Sequence, residues 1–78
     1  MVVQVECYAG YRGNERPLRF SFGNRTYEVR RILDRWYGED HRYFKVQADN
    51  EYIYLLKYNE AEDLWTLEWV DPQRDSSP

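Results

Sequence analysis

Leu18-Arg19-Phe20-Ser21-Phe22-Gly23-Asn24-Arg25-Thr26-Tyr27-Glu28-Val29 is the stretch that decides the fold. Before Gly23, Leu18, Phe20 and Phe22 alternate with Arg19 and Ser21; after Asn24 comes a run rich in β-forming residues. Alternation with a period of two marks a strand with one buried face. Gly-Asn between two such runs suits a two-residue hairpin loop with glycine first. Charge tests the register. A two-residue loop sets Phe20 against Tyr27, Leu18 against Val29 and Arg19 against Glu28, whereas a four-residue loop would oppose Arg19 to Arg30, a like-charge pair. The shorter loop is expected.

Toward the N-terminus, Val3, Val5, Cys7 and Ala9 share one side of a first strand. Toward the C-terminus, Tyr27 and Val29 share one parity, but Ile32 and Trp36 fall in the other. Either a β-bulge near Arg30-Arg31 restores the face, or a short helix runs over Val29 to Tyr37. Both readings stay open, and Gly38-Glu39-Asp40 ends the element either way. Phe44, Val46 and Ala48 then alternate with Tyr43, Lys45 and Gln47, and Asp49-Asn50 signals a turn. Glu51 to Tyr58 reads as a strand apolar on both sides, with Tyr52, Tyr54, Leu56 and Tyr58 on one and Ile53 and Leu55 on the other. Such a strand is central, or its second face is covered by barrel closure. Trp65, Leu67 and Trp69 alternate in a last strand. Pro72 cannot donate to a ladder, and residues 71–78 lack an apolar anchor, so they read as a disordered tail after a single domain over residues 1–70. The expected fold is all-β: one small antiparallel meander of five or six strands, strongly curved or rolled into a half-open barrel, with a bulge or helical turn near Arg30 to Trp36.

A chain of 78 residues buries only a modest part of its surface. Eight Tyr, three Trp and three Phe provide the large side chains such a core needs. With Cys7 and His41 the sole residues of their types, there is neither a disulfide nor a Cys/His zinc set to assemble. The start Met1-Val2-Val3-Gln4-Val5-Glu6 lacks a basic segment followed by an apolar run, and no stretch approaches the ~18 apolar residues of a membrane span. A cytoplasmic protein without cofactor, metal or membrane contact is the expectation.

Catalytic ingredients are few. Cys7 alternates with Val3 and Val5, the place of an inert core thiol, and His41 reads as a solvated strand-edge residue. Glu60, Glu62 and Asp63 read as a solvated loop tip without the spacing of a calcium loop. Gly10 to Asn14 has two glycines but neither the following helix nor the lysine of a phosphate-binding loop. No enzyme is expected.

Charge is uneven along the chain. The net charge is −3, yet residues 10–45 carry nine basic groups against five acidic ones, while residues 46–78 carry two against eight. Arg12, Arg16, Arg19, Arg25, Arg30, Arg31, Arg35 and Arg42 interleave with Tyr11, Tyr27, Trp36, Tyr37 and Tyr43. Strand alternation with cross-strand ion pairs accounts for such a pattern without any partner. A contact surface is the sharper reading. Arg12, Arg30, Arg31, Arg35, Tyr37, Arg42 and Tyr43 are its expected residues, since Tyr, Trp and Arg dominate interface hot spots and small sheets offer edges for strand addition. The expected partner is another protein. Single-stranded nucleic acid, gripped by stacking and phosphate contacts, is the alternative, and the acidic pI of about 5.1 argues against strong nonspecific binding of it. A monomer or weak homodimer, joined through an edge or the Ile53/Leu55 face, is expected.

Arg16-Pro17-Leu18-Arg19-Phe20, Gly23, Tyr27-Glu28-Val29, Ile32-Leu33-Asp34-Arg35-Trp36, Tyr43-Phe44-Lys45-Val46, Tyr54-Leu55-Leu56 and Trp65-Thr66-Leu67-Glu68-Trp69-Val70-Asp71 also stand in a familiar order. Over residues 15–71 the chain resembles a family of small bacterial proteins known only as a domain of unknown function. The resemblance implies no activity and transfers no site residue. Some members are encoded near error-prone DNA polymerase genes, which would imply a role allied to DNA repair.

Overall fold

The computed structural model describes residues 1–8 and 16–72. Its strands are β1 (Val2–Tyr8), β2 (Arg16–Phe22), β3 (Arg25–Tyr37), β4 (His41–Ala48), β5 (Ile53–Asn59) and β6 (Leu64–Asp71). They form a closed antiparallel barrel in chain order, β6 returning to pair with β1. No helix occurs among the described residues, so the helical alternative over Val29 to Tyr37 is removed and the bulged strand stands. The sheet is closed where a half-open one was also allowed.

The β2–β3 hairpin has the register that charge selected. Arg19 opposes Glu28, Phe20 opposes Tyr27, and Phe22 opposes Arg25 across Gly23-Asn24. Gly23 has φ +63° and Asn24 is not in the left-handed region, the pattern of a type II′ turn, which only glycine adopts without strain at its first position. Arg19 also reaches Glu6 on β1, so one guanidinium spans three strands. Hydrogen bonds that it donates to the Glu28 and Glu6 carboxylates hold its pKa above the ordinary arginine value.

Phe20, Phe44, Val46, Tyr54, Leu56, Ala48, Val3 and Leu67 fill the barrel. Phe20 meets Tyr54 edge-on at 4.8 Å across the interior and stacks on Tyr27 at 5.3 Å. The Tyr54 hydroxyl accepts a hydrogen bond from Asn50 Nδ2 at 2.8 Å, so the buried phenol is satisfied. Burial raises its pKa above the usual tyrosine value.

Four bulges correct the simple alternation. Between Cys7↔Pro17 and Glu6↔Arg19, β2 carries the extra residue Leu18. Leu18 is therefore 37% exposed instead of sharing the inner side with Phe20, while Pro17 is buried. On β3 the extra residues are Arg30 and Leu33. The first returns Ile32 to the inner side opposite Val46, as expected, and the second sends Trp36 outward opposite Tyr43. On β6 the extra residue is Glu68. It leaves Trp65 and Leu67 inside but turns Trp69 out, 41% exposed beside Leu55 and Lys45. Leu55 is buried yet lies outside the core cluster, on the outer side of β5. β5 begins at Ile53, because Glu51 takes φ 75° in the preceding turn. β6 runs through Asp71, which pairs with Ile53, one residue into the segment read as a tail. Residues 73–78, like Ala9, lie outside the described residues.

The bulges and the core make opposite demands on two leucines. Leu56→Ala should lower stability by about 3 kcal/mol through lost burial and a cavity. Leu18→Ser should change it by less than about 0.5 kcal/mol, because the bulge already exposes the residue. Urea unfolding followed by tryptophan fluorescence checks both, and a large loss at Leu18 would contradict the bulged register.

Candidate binding cleft between β2 and β3

β2 and β3 are hydrogen-bonded only from Arg19↔Glu28 to Phe22↔Arg25. Beyond Glu28, β3 continues for nine more residues with a ladder to β4 alone among the described strands. Arg16 and Pro17 pair instead with β1. The two strands therefore separate, and between them opens a cleft of about 460 Å³ bordered by Arg16, Pro17 and Leu18 on one side and Val29, Arg30, Arg31, Ile32 and Arg35 on the other.

Local backbone sets four arginines around this opening. The bulge at Arg30 lets Arg30 and Arg31, consecutive in sequence, both stay exposed while Ile32 turns inward. Arg31 Nε donates to Gln47 Oε1 at 3.1 Å, and Gln47 in turn donates to the Glu51 carbonyl. Arg35 opposes Phe44 and so has the parity of the core, yet it is exposed, with no described strand beside it on the β2 side. Arg16 opposes Tyr8, with its guanidinium 5.5 Å from the ring centroid.

The charge balance here differs from that around Arg19 and Arg42. Arg19 holds two carboxylates, and Arg42 Nε lies 2.5 Å from Glu60 Oε2. Among the described residues, Arg16, Arg30, Arg31 and Arg35 have no carboxylate within ion-pair distance. The carboxylate next in sequence, Asp34, accepts a hydrogen bond from the Arg35 backbone N–H at 2.8 Å. Four guanidiniums share one opening with Leu18 and Ile32 as its apolar part.

Of the seven residues expected to form a contact surface, Arg30, Arg31 and Arg35 meet at the cleft. Tyr37 and Arg42 pair at the far end of the β3–β4 hairpin, the guanidinium 5.7 Å from the ring centroid and Tyr37 61% exposed. Tyr43 stacks on Trp36 at 5.4 Å and 10° on the outer side of the sheet, away from the cleft lining. Arg12 lies outside the described residues. Arg16 is the cleft residue those seven omit. Its signal was the gap in pairing beside Pro17, which depends on the Leu18 bulge and is invisible to strand alternation.

The residues weighed for catalysis do not converge. Cys7 is on β1 and His41 on β4, strands that are not neighbours in the barrel. Glu60 pairs with Arg42, and Asp63 accepts a hydrogen bond from the Tyr58 hydroxyl at 2.5 Å. Among the described residues no group of three His, Cys, Asp or Glu side chains could hold a metal, and no helix is long and apolar enough to cross a membrane. Compared with protein-family models, curated proteins and solved structures, the chain matches none.

Like charges with no described carboxylate at ion-pair distance repel one another across the cleft. Arg35→Gln should therefore raise stability by about 0.3 kcal/mol at low ionic strength, in the range of surface charge pairs. The gain should vanish near 0.5 M NaCl, where the Debye length is only a few ångströms. Thermal melts at the two salt concentrations check this, and a loss of stability at low salt would show that Arg35 has a stabilising partner.

Proposed function

We propose that the chain is a non-enzymatic binding module that takes an anionic macromolecular partner, in first place a protein with an acidic surface, in the cleft between β2 and β3. The supporting observation is the convergence of Arg16, Arg30, Arg31 and Arg35 on one opening with no carboxylate within ion-pair distance among the described residues. Arginine has a planar fork that matches carboxylate and phosphate groups bidentately and is weakly hydrated, so its transfer into an interface is less costly than that of lysine. A cluster of this kind carries a cost to the free protein and is best explained by what it binds. A cytoplasmic setting, a monomer or weak homodimer, and membership of the bacterial family that residues 15–71 resemble belong to the same reading. The lone cysteine supports the first of these.

A second reading has its own observation. Exposed aromatics stand at both ends of the arginine row, Tyr8 beside Arg16 and Trp36 and Tyr37 beyond Arg35. Aromatic platforms flanking guanidiniums can hold single-stranded nucleic acid by stacking and phosphate contacts.

Titration of the protein with fluorescent polyglutamate and with a labelled mixed single-stranded oligonucleotide tests the site. At low salt at least one should bind saturably, with affinity falling at least tenfold when Arg30→Glu and Arg31→Glu are combined. Binding of both probes unchanged by that reversal would remove the cleft from consideration. A steep salt dependence confined to the oligonucleotide would favour the second reading.

A further inference from the structure

The cleft is bounded by backbone as well as by guanidiniums. Strands two residues or more beyond their last ladder partner present N–H and C=O groups to whatever lies beside them. On β3 this holds from Val29 to Tyr37 on the side facing β2, where no described residue forms a ladder. Opposite, β2 is blunted: Pro17 has no N–H to give and Leu18 is bulged. β3 contains no proline, and after its two bulges it regains an unbroken register from Asp34↔Lys45 to Tyr37↔Arg42. The Arg35 N–H is held by Asp34 Oδ1 at 2.8 Å, and the rest of this edge has no ladder partner among the described residues, so edge and row of arginines are parts of one strand.

We propose that the partner enters as an extended acidic polypeptide segment that adds to the free edge of β3 as a further strand. This rests on the reading of the cleft as the binding site and specifies its occupant. Main-chain hydrogen bonds along this edge, at groups other than the Arg35 N–H that Asp34 already holds, supply affinity that is indifferent to side chains. Alternate side chains of the added strand face the outer side of the sheet, where carboxylates meet Arg31 and the bulged Arg30 from β3 and Arg16 from β2, while Arg35 shares the inner parity of Ile32. Leu18 and Ile32 supply the apolar floor for the positions between. Charge complementarity selects the occupant: the edge invites any strand, and four arginines without carboxylates favour one rich in Glu or Asp.

The recognition requires a segment extended over at least four or five residues with acidic side chains in every second position. At about 3.3 Å per residue, the free length of β3 admits a strand of roughly eight residues. The two bulges have a role here as well. They turn the edge near Arg30 and Leu33 away from a flat template, which limits pairing with strands that lack the charges to compensate.

The probe is a fluorescein-labelled nine-residue peptide of alternating Glu and Val, titrated into the full chain at low salt and followed by anisotropy. Its two singly phased N-methylated forms, each methylated on alternate backbone nitrogens, accompany it. The expected results are saturable binding by the unmodified peptide, at least tenfold weaker binding by one N-methylated phase, and at least tenfold weaker binding to Arg30→Glu/Arg31→Glu. Amide hydrogen exchange of Asp34 to Tyr37 should slow on binding, a readout that needs no variant to fold. Equal binding of both N-methylated forms, or unchanged exchange at Asp34 to Tyr37 under saturation, would overturn strand addition. If the mixed oligonucleotide binds and the peptide does not, strand addition fails while the cleft remains the binding site. If neither binds, both readings fail together.

Discussion

Everything in this barrel depends on filling its interior with rings. Phe20 from β2 and Tyr54 from β5 meet across the middle at 4.8 Å, so two strands that are not neighbours in the sheet are held at a fixed separation. Tyr27 stacks on Phe20 and lies 5.6 Å from Tyr54, which adds the adjoining strand to the same cluster. A small six-stranded barrel has room for side chains and nothing else. Wrapping six strands around these rings requires the strands to bend and twist sharply, and bulges provide both.

The bulges convert packing into surface chemistry. At Leu18 and Glu68 they turn out residues that alternation assigns to the core, and at Arg30 and Leu33 they aim two arginines and a tryptophan away from it. β2 and β3 separate next to the bulges at Leu18 and Arg30, so the cleft lies where the regular ladder stops. The shape of the site therefore follows from the size of the core, and its charge follows from which residues the bulges leave outside.

Much of the fold was legible because its signals were local. The II′ loop at Gly23-Asn24, the opposition of Arg19 and Glu28, and the buried alternation of Phe44, Val46 and Ala48 each depend on residues close in sequence or on one pairing. What alternation missed were events on a neighbouring strand. Nothing near Leu18 or Trp69 in sequence reveals that one residue too many faces Cys7 or Leu55. Of the candidate site, Arg30, Arg31 and Arg35 were legible as a basic cluster on one strand, whereas Arg16 joins them only through the third dimension. Tyr37, Arg42 and Tyr43 belonged to the same basic and aromatic half of the chain but were carried elsewhere, because a thirteen-residue strand extends well past the arginines it carries.

The last seam of the barrel has consequences for assembly. β1 meets β6 over only Val2↔Thr66 and Val3↔Trp65, with the Leu67 N–H donating to the Met1 carbonyl at 2.7 Å. All other ladders join strands consecutive in the chain, so they can zip from one turn to the next with little loop-closure entropy. The β1–β6 seam alone brings together residues more than sixty positions apart, at an entropic cost roughly 2 kcal/mol greater than that of a short hairpin. Closure is thus the one pairing of high contact order in an otherwise local topology. A chain that has formed its hairpins but not this seam is an open sheet with two unpaired edges and its aromatic interior exposed, a form that associates through both.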